Sequence, residues 1–324
     1  HRKIVSFTSD PEMLEEMTSL NPHYLADRFW DDGMVRVSGR EFNGLLETRC
    51  YTHGEMSCLS CHTLHPPEDD PRPLSEWADD QLKIGMRGNQ ACLQCHEELD
   101  NEQQLTAHTH HPAASSGSLC YNCHMPYTTY GLQKAIRSHQ VDSPSVQASL
   151  ETGRPNACNL CHLDKTMAWA ADGLDQWYGI ARPELEQDQQ QVAASVLWLL
   201  KGDAGQRALI AWAMGWQPAR DVSGDNWMVP YLGQLLLDPY GAVRFIAARS
   251  LRRLEGYKEI DYDFELPAEK REAAVERIRQ QWSREPGAMG DRGSVLVDES
   301  GQLDWDVFRR LLGTRNDRRI NLAE

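Results

Sequence analysis

The chain has 324 residues, of which 40% are hydrophobic and 25% are charged, and its formal net charge is −15. The hydrophobic fraction is too high for a disordered chain, and the length suits two or three domains of roughly 100 to 200 residues each. Strong negative charge disfavours nucleic acid as a partner, because it repels phosphates. Hydrophobic runs are far shorter than the about 20 residues of a membrane-spanning helix, so we expect no transmembrane segment.

The first part of the chain predicts no chemistry. It begins at His1 without an initiator Met or a leader of basic and apolar residues, and we expect a processed or partial chain. Residues 1–49 are interpreted as an N-terminal lead-in. A helix is expected over residues 11–17, and the alternating residues 34–37 predict a short strand.

Eight of the nine cysteines form four C-x-x-C pairs, and a histidine follows each pair directly. This pattern is the attachment signature of c-type haem, in which two thiols bind the porphyrin edge and the histidine binds the iron. Zinc knuckles, a disulfide framework or a redox-active pair are alternatives, but they leave the repeated histidine unexplained. The sequence therefore predicts four covalently bound haems c, on the cysteines Cys58, Cys61, Cys92, Cys95, Cys120, Cys123, Cys158 and Cys161 and the histidines His62, His96, His124 and His162.

Further histidines near the motifs are candidates for the second axial position of each iron. They are His53, His65, His108, His110, His111 and His139, whereas no histidine follows His162. His65 lies too close to His62 to reach across the same porphyrin, so we expect it to serve a neighbouring haem. In the triplet, residues 108 and 110 share a side if the segment is extended, and residues 108 and 111 share one if it is helical. The methionines Met56, Met86 and Met125 are alternative thioether ligands for which packing is the simpler role.

Residues 50–180 are interpreted as an irregular tetrahaem domain, with turn-forming residues in place of a periodic hydrophobic pattern. The first cysteines of successive motifs lie 34, 28 and 38 residues apart, too little chain to bury four macrocycles separately. We therefore expect the haems to pack against one another. Cys50 belongs to no motif and is expected to be buried, with pairing to another chain or a reactive thiol as the alternatives. Basic residues such as Arg87 and Arg137 are candidates for pairing with haem propionates or for ordinary surface ion pairs.

Helical periodicity begins directly after the fourth motif. One helical face is predicted by Leu163, Met167, Ala170, Leu174 and Trp177. Gly179 is expected to end this helix, which would cover the fourth haem.

Helices continue to the end of the chain, so the predicted fold class is mainly α. Segments within residues 186–254, then 267–282 and 304–312, have helical patterns. Residues 199–211 match residues 236–248 with a shift of 37 residues, close to the period of HEAT-like helical pairs. We interpret residues 181–324 as an α-helical repeat-like domain, with an ordinary helical bundle as the alternative.

As a set, these motifs resemble a known family. The chain resembles bacterial multihaem c-type cytochromes that carry a C-terminal helical-repeat domain of HEAT or TPR type. The resemblance covers most of residues 28–255 and lies in the stretches Gly33–Arg40, Gly54–His62, Asn89–His96, His108–His111, Cys120–Pro126 and Gly153–His162. The resemblance implies an exported electron carrier in the periplasm or outside the cell. It also implies additional N-terminal sequence, sometimes with further haem sites.

We expect electron transfer through closely packed, mostly bis-histidine haems, with redox proteins or a larger electron-transfer complex as partners. Whether the chain is also an enzyme stays open, with electron transfer favoured over catalysis. Two alternatives stay open: an oxidoreductase in which one open haem acts on a small nitrogen or sulfur oxyanion, and a subunit of a polymeric extracellular cytochrome wire. An oligomer is compatible with either the carrier or the wire.

Overall fold

A computed structural model describes residue 19 and residues 24–37, 40–131, 133–284, 293–298 and 300–320. The described chain is mainly helical. The helices of its first half are α1 (Tyr24–Arg28), α2 (Glu41–Leu46), α3 (Arg49–Thr52), α4 (Cys58–Cys61), α5 (Leu74–Asp80), α6 (Gln90–Leu93), α7 (Glu102–Thr109), α8 (Cys120–His124), α9 (Val146–Thr152) and α10 (Ala157–Cys161). Strands β1 (Tyr127–Tyr130) and β2 (Lys134–Arg137) form a two-stranded sheet.

The second half adds longer helices. They are α11 (Met167–Tyr178), α12 (Gln187–Gln191), α13 (Ala194–Lys201), α14 (Ala204–Met214), α15 (Gln217–Ser223), α16 (Val229–Leu235), α17 (Gly241–Leu251), α18 (Ala268–Arg284) and α19 (Trp305–Leu312). Short 3₁₀ turns lie between several of these elements.

Contacts divide the chain into two compact units. The motif unit consists of Arg40–Pro126 and Arg137–Ser143, and the helical unit consists of the described residues of His1–Gly39, Tyr127–Ile136 and Pro144–Glu324. The first three C-x-x-C-H motifs therefore belong to the motif unit, and the fourth belongs to the helical unit. The predicted domains, residues 1–49, 50–180 and 181–324, stay a prediction, and the contacts group residues 144–180 with the helices that follow them.

The motif unit has almost no hydrophobic core. Among its described residues only Leu45, Trp77 and Leu105 are buried hydrophobic side chains. Six large hydrophobic side chains of the same unit are instead exposed, namely Phe42, Tyr51, Leu59, Leu64, Leu74 and Ile84. A unit of this size ordinarily buries a contiguous hydrophobic core to offset its loss of chain entropy. Its polypeptide alone therefore does not account for its stability.

The helical unit has a conventional core. Helix α14 packs against α13 and α17, and α16 packs against α17 and α18. Their facing sides are filled by buried leucine, isoleucine, alanine and methionine side chains, among them Leu200, Ile210 and Ile246. The helices are therefore stabilised by packing of the expected amphipathic faces.

The two matching segments of the helical unit repeat a detail of hydrogen bonding. Arg207 Nη1 donates to Gly202 O at 2.8 Å, and 37 residues later Arg244 Nη1 donates to Pro239 O at 3.0 Å. Each arginine thus binds a carbonyl in the turn that precedes its own helix. Arg207 also forms a fully buried ion pair with Asp238, at 2.6 Å from Nε to Oδ2.

Several predicted elements are confirmed. Helix α11 ends before Gly179, whose φ of 64° is left-handed and favours glycine. The helices expected over residues 267–282 and 304–312 correspond to α18 and α19. The expected strand over residues 34–37 is reduced to isolated bridges, in which Val35 pairs with Phe29 and Val37 with Thr129. The helix expected over residues 11–17 lies outside the described residues.

Replacing Asp238 by alanine tests the buried ion pair. The variant leaves the Arg207 guanidinium buried without its main partner, so the free energy of unfolding should fall by about 3 kcal/mol, at the lower end for a broken buried pair. The lower end applies because exposed Asp317 still lies 3.6 Å from Arg207. Urea denaturation followed by circular dichroism measures the change. Asp306→Ala, which removes an exposed pair with Arg309, should change stability little, and equal effects of the two variants would contradict the prediction.

Candidate functional site

Each motif lies on a single helical turn. In three of them the backbone N–H of the histidine donates to the backbone carbonyl of the first cysteine. The distances are 2.9 Å for His62, 3.0 Å for His96 and 2.8 Å for His162. A turn of this kind places residues three and four apart on one face. The two thiols and the imidazole of a motif are thus presented to the same side, and all nine cysteines are free thiols.

Two motif histidines of the motif unit lie opposite histidines from elsewhere in the same unit. The ring centroids of His62 and His139 are 6.1 Å apart with planes 26° from parallel, and those of His108 and His124 are 6.0 Å apart with planes 11° from parallel. A metal–imidazole bond is about 2.0 Å long, so two imidazoles on opposite sides of one metal ion have centroids about 6 Å apart. Each pair therefore has the spacing of two axial ligands.

Backbone carbonyls hold one ring nitrogen of three of these histidines. His62 Nδ1 lies 2.9 Å from Asp80 O, and His124 Nδ1 lies 2.9 Å from Asp142 O. His139 Nδ1 lies 3.1 Å from the carbonyl oxygen of residue 137. A carbonyl can only accept, so Nδ1 carries the proton and Nε2 keeps its lone pair. This is the arrangement by which proteins orient an imidazole toward a metal.

The pKa values of the two partner histidines are lowered from the ordinary value, chiefly by burial. Burial lowers the pKa of His139, and nearby His62 lowers it further, while Glu41 partly opposes them. Partial burial lowers the pKa of His108, with contributions of the same sign from the His124 and His96 rings. Neutral imidazole is the metal-binding form, so these shifts favour ligation at physiological pH.

The second and third motifs are clamped together. The side chain of Asn89 donates from Nδ2 to Ser118 O at 2.8 Å and accepts at Oδ1 from the Cys120 backbone N–H at 2.9 Å. The Cys120 thiol lies close enough to Cys92 to raise the pKa of Cys92, which burial raises further, and Cys92 in turn lowers the pKa of Cys120 to about 7. Groups attached to these two thiols would consequently lie near each other.

The fourth motif is built into the helical unit. Ser223 at the end of α15 accepts at Oγ from the Leu163 backbone N–H at 2.9 Å and donates to Cys161 O at 3.0 Å. The ring of Trp169 on α11 lies 4.7 Å from that of His162. The side chain of Trp177, two turns further along α11, is 41% exposed although the helical pattern predicts it on the hydrophobic face.

The other candidate histidines have different surroundings. His65 is exposed, and His53 is exposed with Nδ1 2.9 Å from Thr52 Oγ1. Among the described residues neither forms a ring pair with a motif histidine, so their ligand roles stay predictions. His96 is exposed beside Glu98, 3.4 Å away.

The histidine triplet is neither extended nor helical throughout. His108 lies on α7, whereas His110 has a left-handed φ of 56° and ends that helix. His111 Nδ1 lies 2.6 Å from Thr109 O, and its ring lies so close to Gly117 that a Cβ there would be 2.1 Å from Cδ2. Gly117 must be glycine for this ring position.

Several residues that hold the site were not singled out by the sequence. Asn89 acts through hydrogen bonds at both ends of its amide, and the Asp80 and Asp142 residues act through backbone carbonyls, which no side-chain motif reveals. An asparagine just before a C-x-x-C-H motif is the usable signal, since Asn156, which precedes the fourth motif, also holds the backbone through its side chain, by capping that motif's helix. Cys50 is half-buried rather than buried, and Arg87 binds Asp80 at 2.6 Å.

No family model, curated protein or solved structure matches the chain. No helix in the described ranges is long and apolar enough to cross a bilayer. Within the same ranges, no group of three or more His, Cys, Asp or Glu side chains converges on a point where it would hold a metal ion by itself. The porphyrin supplies four ligands to a haem iron, so the protein needs to supply only two. Each of the two imidazole pairs contains that number of rings.

Asn89→Ala should loosen the clamp between the second and third motifs. Its removal leaves Ser118 O and the Cys120 N–H without their side-chain partner, at a cost of about 1–3 kcal/mol. We expect a lower Tm by circular dichroism. Gln94→Ala removes an exposed amide with only a local bond to Ala91 O, and a similar loss of Tm in both variants would refute the clamp.

Proposed function

We propose that this chain is a tetrahaem c-type cytochrome that transfers electrons. The proposal is carried by the two opposed imidazole pairs, His62 with His139 and His108 with His124. Each pair joins the histidine of a C-x-x-C-H motif to a second histidine at the spacing of two axial ligands. A bound haem supplies a one-electron iron couple. Two imidazoles close both axial positions of such an iron, which suits electron transfer rather than substrate binding.

The composition of the motif unit supports covalent haem. Its few buried hydrophobic side chains and its exposed Leu59, Leu64 and Ile84 are explained if porphyrin rings occupy the space that a core would fill. Leu59 lies within the first motif and Leu64 just beyond it. The Asn89 hydrogen bonds that join the second and third motifs support close packing of the second and third haems, and short distances between haem edges favour rapid electron exchange.

The helical unit would dock a partner or belong to a larger complex. Its matching arginine contacts, 37 residues apart, support a HEAT-like pair of helical hairpins. Stacked helical hairpins present an extended surface suited to protein partners. Attachment of c-type haem implies an exported protein, so we place the chain in the periplasm or outside the cell. It would act there as a carrier or as a fixed electron-transfer subunit.

The haem complement can be counted directly. Pyridine haemochrome analysis and intact mass of the purified protein should give four haems per chain. Cys92→Ser with Cys95→Ser should remove one haem, because both thioether bonds of that site are lost. Cys50→Ser is the matched control and should retain all four, since Cys50 lies outside every motif. A haem-free protein, or an unchanged count in the double variant, would overturn the proposal.

The axial assignment is tested by single substitutions. His139→Ala and His108→Ala should each leave four haems attached and convert one of them to high spin, visible by electron paramagnetic resonance. The proximal histidines and all eight thiols are unchanged, so only the second axial ligand is lost. His65→Ala should leave the low-spin signals of these two haems unchanged. Low-spin spectra in both variants would show that other residues supply the sixth ligand.

A further inference from the structure

Residues 137–143, which we call the strap, contact both imidazole pairs of the motif unit. Apart from Arg137, which ends β2, the strap has no helix or strand of its own. One end is fixed by the Arg137 guanidinium, whose Nη1 donates to Tyr121 O at 3.1 Å and Nη2 to Asn122 Oδ1 at 2.5 Å. The guanidinium also lies 4.5 Å from the Tyr121 ring centroid. The strap is thereby attached to α8, the helix of the third motif.

The strap supplies a ligand to the first imidazole pair. His139 is itself a strap residue, and its ring faces that of His62. Its Nδ1 is held by the carbonyl oxygen of Arg137, within the strap. The position of the His139 ring is consequently determined by the path of the strap backbone.

The strap also orients the motif histidine of the second imidazole pair. The Asp142 carbonyl accepts from His124 Nδ1, and the Asp142 backbone N–H donates to His124 O, both at 2.9 Å. The Ser138 backbone N–H in turn donates to Pro126 O, also at 2.9 Å. These three hydrogen bonds hold both ends of the seven-residue strap to His124 and Pro126.

A single buried hydroxyl holds the middle of the strap. Thr48 Oγ1 accepts from the Val141 backbone N–H at 3.0 Å and lies 3.1 Å from His139 O and 3.0 Å from Gly44 O. Thr48 is fully buried. The strap backbone lies directly on α2, because a Cβ at Gly44 would be 2.6 Å from Gln140 N.

We propose that the strap couples the first and third haem sites, with Thr48 as the positioning residue that sets its place. The proposal rests on the proposed function. A hydrogen bond from Nδ1 makes an axial imidazole a stronger ligand and fixes its orientation. With haem bound at both sites, the axial imidazole would lose electron density when its iron is oxidised, and its Nδ1 hydrogen bond to the carbonyl would strengthen. The resulting pull on the strap reaches the other imidazole pair through at most seven residues of backbone.

Thr48→Val tests the coupling with an isosteric change that removes the hydroxyl. Looser placement of His139 and of the Asp142 carbonyl weakens both Nδ1 bonds, and weaker imidazole donors stabilise oxidised iron less. Spectroelectrochemical titration should therefore show two of the four midpoint potentials rising together. The same two haems should show altered low-spin g-values, and they should be those that become high spin in His139→Ala and His108→Ala. Thr152→Val, a helix residue of the helical unit whose hydroxyl bonds Ala148 O at 2.7 Å, should leave all potentials unchanged.

A change at one haem only, or at none, would overturn the coupling while leaving the tetrahaem assignment intact. Failure of that assignment is distinguished by the haem count of the unmodified protein. If Thr48→Val does not retain four haems, the midpoint potentials of Arg137→Met are measured instead, and the same outcomes decide the proposal. Arg137→Met removes the side-chain bonds of the first strap residue to α8 and keeps both axial histidines and their carbonyl partners.

Discussion

The arrangement of the motif unit depends on holding four imidazole rings in two opposed pairs. None of the four is positioned by a helix or strand alone. Backbone carbonyls fix the rings of His62, His124 and His139 through Nδ1, and this leaves Nε2 of each ring available. If the C-x-x-C-H turns hold haem as proposed, the second ring of each pair would decide the coordination of the iron, and hence whether the site would transfer electrons or bind a substrate.

The scarcity of buried hydrophobic side chains in the motif unit agrees with the proposed haem content. A chain that surrounded flat macrocycles would not also bring its own side chains into contact across the space they filled. Its exposed leucine, isoleucine and phenylalanine side chains are the surface that a porphyrin would cover. The Asn89 amide and the Thr48 hydroxyl hold neighbouring segments together by hydrogen bonds. In most domains a hydrophobic core has this role. The helical unit, which carries one motif, keeps an ordinary core beside it.

The sequence predicts the local features of the structure but not the long-range ones, and the reason is physical. A C-x-x-C-H turn and the end of a helix at Gly179 depend on neighbouring residues, so spacing and backbone preference predict them. The pairing of His62 with His139 spans most of the motif unit and depends on how an irregular chain folds back, which has no periodic signature. The candidates for distal ligands were identified as a group, but their assignment to particular irons was not. The grouping of the fourth motif with the later helices was likewise hidden, because it depends on Ser223 reaching back to Cys161 and Leu163.

The most direct test of this account is low-temperature electron paramagnetic resonance of the fully oxidised protein, with haem counted on the same sample. Near-parallel imidazole planes in the two opposed pairs, 26° and 11° from parallel, give rhombic low-spin signals. The account predicts two such signals, each corresponding to one haem per chain. Highly anisotropic low-spin signals alone, or high-spin iron at these two sites, would contradict the assignment of His62 with His139 and His108 with His124 as axial pairs.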